Sequence, residues 1–204
     1  MIIRSSGSRR ALAACALALS GLLLSSSIAA AQKFDVKPVA EKKIQHLPPG
    51  PLFWRIDNFP TLAQAQAAAG PTALAAEVAG KAWLFTLGKR GGSSPGGRKV
   101  IEVGPVPAIS APEYLLRVNS VSGAPGVGTR VHTHPGVESF YVLTGELNQK
   151  TPRGINHVGA GQFLAGKAPN TPMMVTSAGT SELTALVMFV ADATKPFSSP
   201  AEMP

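Results

Sequence analysis

The stretch Gly126-Val127-Gly128-Thr129-Arg130-Val131-His132-Thr133-His134-Pro135-Gly136-Val137-Glu138-Ser139-Phe140-Tyr141-Val142-Leu143-Thr144-Gly145 decides how this chain is read. His132 and His134 alternate with Thr133, and a strand has a side-chain period of two, so both imidazoles face one side. Pro135-Gly136 favours a turn, after which a returning strand presents Glu138 to the same interior point. Two neutral imidazole nitrogens and one carboxylate oxygen suit a divalent transition metal and leave positions open for substrate or dioxygen. A bare His-x-His pair is equally compatible with two solvated or hydrogen-bonded rim histidines.

Outward from this stretch, short runs of Val, Leu, Phe and Thr between turn residues predict strands. They are Ala82–Leu87, Lys99–Val103, Tyr114–Val121, Arg130–His134, Ser139–Asn148, Gln162–Ala165, Met174–Ser177 and Leu183–Val190. Their spacing predicts a mainly β fold, closed or sandwiched and antiparallel, over residues 81–195, followed by a C-terminal tail over 196–204. Upstream, residues 32–60 read as an extended N-terminal arm whose aromatics dock on the body. Residues 61–80, rich in alanine, read as a helical hairpin or broken helix, with Thr61 and Thr72 as N-caps. The glycine-rich loop from Gly88 to Arg98 is a near miss to a phosphate-binding loop. It lacks the Lys-Ser/Thr pair and runs into Val100-Ile101-Glu102-Val103, so a mobile hairpin loop is expected.

The chain has 204 residues, enough for one ordinary domain; 45% are hydrophobic and only 15% charged, which excludes wholesale disorder. Arg4, Arg9 and Arg10 precede an apolar run, Ala11 to Leu24, and an A-x-A site at Ala29 and Ala31. This predicts a signal peptide over residues 1–31 and a periplasmic or secreted mature protein. Ser8-Arg9-Arg10 resembles a twin-arginine export signal, and Leu12-Ala13-Ala14-Cys15 a lipobox placed too close to the arginines. Cys15, the only cysteine, leaves with the leader, which removes thiol and disulfide chemistry. The formal charge of +8 falls to about +5 without the leader, which requires no nucleic acid. Nor does the apolar run predict stable membrane insertion after cleavage.

The spacing Gly126-x5-His132-x-His134-x3-Glu138-x6-Gly145 matches throughout the first motif of the cupin superfamily, and the chain resembles a cupin over roughly 114–190. The resemblance implies a small double-stranded β-barrel, or jelly roll, with a metal between its sheets. It makes His132, His134 and Glu138 the ligands of one divalent transition metal: Fe, Mn, Ni, Cu or Zn. The second motif departs from the family pattern: Ala168-Pro169-Asn170-Thr171-Pro172-Met173 stands where cupins often read P-A-G-T-P-H, so Met173, or Pro172 under a one-residue change of alignment, stands in place of the usual fourth ligand, and neither is a nitrogen donor. Three readings follow: three protein ligands with water in the other positions, a thioether from Met173 or Met174 that favours copper, or a weakened site.

His157 is a replacement ligand or, in the plainer reading, a solvated side chain. Arg130 shares parity with the two histidines and can meet an anionic substrate at the rim, or form a rim ion pair. Phe140, Val142, Phe163 and Met188 are candidate walls of an apolar pocket, a role that ordinary core packing predicts equally well. No serine elbow, dinucleotide fingerprint or aromatic-basic interleaving competes. The expected function is that of an exported cupin binding a metal and a small-molecule ligand. It is either an enzyme of oxygenase or isomerase type or a non-catalytic binding module of the envelope, and a homodimer is the family expectation.

Overall fold

Leu183–Asp192 is the most continuously buried strand among the described residues, with every position but Thr184 buried, and a strand buried at successive positions needs a layer on each of its faces. The computed structural model, which describes residue 1 and residues 33–204, supplies both layers. The predicted leader, its cleavage point and Cys15 lie outside the described residues. Numbered in chain order, the run is β13, third strand of an antiparallel sheet ordered β1 (Asp35–Ile44), β6 (Tyr114–Gly123), β13, β8 (Gly136–Thr144), β11 (Phe163–Leu164). Leu186, Met188 and Val190 face one side with Leu116 and Val118. Val187 and Phe189 face the other with Val121, Phe140 and Val142.

On the first side lies a sheet ordered β3 (Ala73–Val78), β4 (Lys81–Gly88), β2 (Leu52–Phe59), β5 (Arg98–Val106). Trp54, Ile56, Trp83, Phe85 and Leu87 bury its inner face. On the second side lie β10 (Gly154–Gly159), β9 (Glu146–Thr151) and β12 (Met174–Ala178), in that order. Bridges from Gly128 to Thr176 and from His132 to Met173 continue this layer to β7 (His132–Thr133), which pairs with β14 (Ser199–Pro200). From β6 onward the chain thus passes back and forth between two facing layers, a jelly-roll sandwich whose interior holds the histidine motif. Gly136 and Gly145 bound β8 where the backbone is closest to its neighbours. A Cβ on Gly136 would collide with the Val190 carbonyl, and Gly145 turns at φ +70° with Glu182 O 2.6 Å from where a Cβ would sit.

Several expectations change. Only Leu62–Ala67 of the alanine-rich segment is helical (α1), capped by Thr61, whose hydroxyl accepts from Gln64 N at 3.2 Å. Gly70-Pro71 breaks it, and Ala73–Val78 becomes a strand because its backbone pairs with β4, where tertiary pairing overrides the helix preference of alanine. Thr72, expected as an N-cap, instead donates to Leu87 O at 2.7 Å. The arm over 32–60 is two strands of two different sheets, and Trp54 within it is fully buried.

The Gly88–Arg98 loop is not a hairpin. β4 and β5 both pair with β2 and not with each other, so the loop crosses it. It is pinned by Arg55, which donates to Gly91 O and Ser94 Oγ, while Ser94 Oγ donates to the buried Asp57. Ser139–Asn148 is two strands divided at Gly145, and the tail over 196–204 carries β14. Strands β4 and β5, expected within the barrel, belong to the outer sheet, whereas β1 joins the sandwich.

Candidate metal centre

Three side chains meet between the facing layers. His132 lies on β7, His134 follows it before the turn at Pro135, and Glu138 lies on β8. Their ligand atoms all fall within 4.8 Å of one another, close to what an ion held at about 2.0–2.2 Å by each would need. The two imidazoles pack edge to face at 4.9 Å, and His134 Nε2 is 3.9 Å from Glu138 Oε1. Both rings are oriented by backbone carbonyls: His132 Nδ1 lies 2.8 Å from Arg130 O and His134 Nδ1 lies 2.7 Å from Phe197 O. A carbonyl only accepts, so each Nδ1 carries the proton and each Nε2 keeps its lone pair for a metal. Glu138 Oε2 is buried without any hydrogen-bond partner. An orphaned carboxylate oxygen beside two free imidazole lone pairs fits a bound cation.

The electrostatics agree with that fit. Burial holds the His134 pKa down to about 4 against the opposing pull of the Phe197 carbonyl, with His132 and Arg117 lowering it further. His134 is therefore neutral, as a ligand must be, across the physiological range. Burial pushes Glu138 up to about 8, so near neutral pH this carboxyl ionises only when a cation compensates its charge.

A cavity of about 290 Å³ opens beside the three residues. Phe140 lines it and is buried; Arg130 lines it from the exposed mouth. Phe163 does not. It is 37% exposed, because β11 pairs Phe163 with Tyr141 and Leu164 with Phe140, so Leu164 takes the inward side. Val142 is buried in the same core without lining the cavity, and Met188 faces the opposite core.

Met173 pairs through its backbone with His132 and is buried, as the motif alignment expects. Its sulfur, however, lies 3.5 Å from Gln149 Nε2 and is engaged there. His157 is no replacement ligand: it lies on the outer face of β10, bound to Asn148 Oδ1 at 2.8 Å and 3.4 Å from Glu146. The parity of the β9–β10 ladder explains this, since His157 pairs with Asn148 while Leu147 and Gln149 point inward.

Sequence reasoning missed most of the cavity wall, including Phe189 and four residues whose placement is instructive. Phe197, from the supposed tail, supplies the carbonyl that orients His134 and packs its ring, tilted by 50°, with centroids 4.7 Å apart. Phe34 and Val36, from the supposed arm, line the cavity, as does Asn119 of β6. Asn119 did carry a signal, being a polar residue at inward parity in an apolar strand. The others are brought in only by the tertiary fold.

No protein-family model matches the chain, and no curated protein matches it in sequence. Solved structures do align with it. They include the DMSP lyase DddQ from Ruegeria pomeroyi (20% identity, TM-score 0.38, 42% of this chain and 43% of that one). A cupin-like protein from Thermotoga maritima aligns at 21% identity and TM-score 0.38, covering 43% of this chain and 65% of that one. A Klebsiella pneumoniae protein with a double-stranded β-helix domain aligns at 24% and 0.37, over 43% and 70%. The matched part spans less than half the length of the lyase. With its histidine motif seated between two antiparallel layers of this strand order, the described chain is a jelly-roll sandwich of the kind that the motif resemblance implies.

Proposed function

We propose that this protein is exported and binds one divalent transition metal through His132, His134 and Glu138, with a small molecule in the adjoining cavity. The observation that carries the reading is the anchoring of both Nδ1 atoms on backbone carbonyls, which leaves two Nε2 lone pairs facing a carboxylate with an orphaned oxygen. When bound, the metal supplies a Lewis acid or oxygen-activating centre, which fits an oxygenase- or isomerase-type reaction. The chain's own part is to orient the imidazoles, to exclude water with Phe140, Phe189 and Phe197, and to present Arg130 at the mouth.

A second reading, a non-catalytic binding module of the envelope, is favoured by one observation. Apart from the three ligand residues and Arg130, the described cavity lining carries no titratable side chain, so nothing there shuttles a proton. Metal content per chain, measured by elemental mass spectrometry on protein exported by its own leader, tests the site. About one equivalent is expected, and none in His132→Ala/His134→Ala. Less than about a tenth of an equivalent, with no gain on adding metal, overturns the reading. Turnover or oxygen uptake with catechols, enols and sugars separates the two readings. Pairing into a homodimer through sheet edges belongs to the same proposal and is read by sedimentation.

A further inference from the structure

The cavity beside the three ligand residues has a chemistry that does not depend on the ion. Four phenylalanines and four valines line it. At about 290 Å³ it offers roughly twice the ~150 Å³ in which a dry apolar cavity holds a benzene ring. A ring with a few substituents fills such a space and displaces poorly bound water; a two-carbon molecule would leave most of the apolar wall uncovered.

Outside the three candidate ligand residues, the polar side chains of the lining are Asn119, Thr129, Arg130 and Ser198, of which Asn119 and Arg130 offer donors only. Asn119 is buried, and its Oδ1 accepts from Arg117 Nε at 2.9 Å, which fixes the amide and leaves Nδ2 as a donor. Arg117 itself is held: Glu41 lies 3.6 Å away and the face of Phe197 4.3 Å from its guanidinium. Arg130, by contrast, stands exposed at the mouth, and among the described residues its guanidinium has neither a carboxylate nor a hydrogen-bond partner. Among the described residues, no rim ion pair forms that would make it structural. A planar fork of donors at the entrance to an apolar, ring-sized cavity is a receptor for a carboxylate on an apolar body.

We propose that the cavity takes a small monocarboxylate with a ring-sized apolar body, its carboxylate held by Arg130 and its body among the phenylalanines. Asn119 is then a donor for a ligand oxygen inside the cavity. The inference rests on the reading of this cavity as the ligand site. Its test is separate from that of the metal, because binding is measured on protein of known metal content, metal-free as well as loaded.

The probes are benzoate, its neutral isostere benzamide, and acetate, titrated calorimetrically into the mature chain with and without chelator. Benzoate is expected to bind at least about tenfold tighter than either of the others in both metal states, since a bidentate guanidinium–carboxylate pair is charge-assisted. Arg130→Gln is expected to remove the preference for benzoate over benzamide while leaving benzamide binding unchanged, and Arg130→Lys to keep part of it. Equal binding of benzoate and benzamide, equal binding of acetate, a preference that survives Arg130→Gln, or no benzoate binding at all overturns the proposal. A chain that takes up no metal yet keeps the Arg130-dependent preference sinks the metal reading alone.

Discussion

Glu138→Gln makes the cost of burying the carboxyl of the candidate site measurable. Burial raises the Glu138 pKa to about 8, against 4.5 for a free carboxyl. A carboxyl whose pKa is raised by folding contributes stability that is fully present below pH 4.5 and is lost as pH rises through 8, because only the unfolded chain ionises it in between. At pH 7 the shift corresponds to about 3 kcal/mol of destabilisation, from a linkage of about 1.4 kcal/mol per unit. For a chain of this length that is a melting shift of roughly 6–12 °C as an upper bound, since a buried amide retains part of the desolvation burden. The assay is thermal and urea unfolding of parent and Glu138→Gln in chelator from pH 5 to 8. Near pH 5 the two should melt within a degree or two of each other; by pH 8 the variant should be several degrees more stable. Adding Zn²⁺ or Co²⁺ should stabilise the parent and leave the variant unmoved. His134 titrates in both proteins and cancels in the difference. A difference that stays flat with pH, or a variant that melts lower throughout, refutes the reasoning.

The pKa of His134, held down to about 4, carries the opposite sign. Its contribution is intact above pH 6.5 and lost as pH falls toward 4, so the imidazole signal of His134 should titrate well below the ordinary histidine range in NMR, and a midpoint near 6.5 would contradict its burial. Phe197→Ala should cost about 1–3 kcal/mol in urea unfolding, because the half-buried ring packs on His134 and Phe189 and carries the Arg117 guanidinium; a loss under about 0.5 kcal/mol would mean that the C-terminal segment does not cover the site. His157→Ala should leave metal content unchanged and shift stability by no more than about 0.5 kcal/mol, and Phe163→Ser should leave metal content unchanged while costing about 1–2 kcal/mol for the covered part of its ring. Loss of metal in either variant would contradict the outward placement of its side chain.

Much of the site was legible because it is local. His132, Thr133, His134 and Glu138 lie within seven consecutive residues, and strand parity with one turn suffices to converge them. The parity of β8 likewise put Phe140 on the inner side. Phe163 was misplaced because β11 is only two residues long, and its facing is set by a one-residue choice of register with β8 that its own residues do not encode. Ala73–Val78 was misread as helix because alanine is a good helix former; what makes it a strand is the hydrogen-bonding edge of β4.

By itself the sequence determined the β class and the convergence of His132, His134 and Glu138, since each follows from spacing or periodicity within a few residues of chain. The tertiary structure decided which distant segments complete the site. Phe34 and Val36 come from the beginning of the described chain and Phe197 from its end, and no local pattern links them to His134. They arrive there because β1 adds to the edge of the central sheet and β14 to β7, and strand pairing of that kind is chosen by the fit of whole layers.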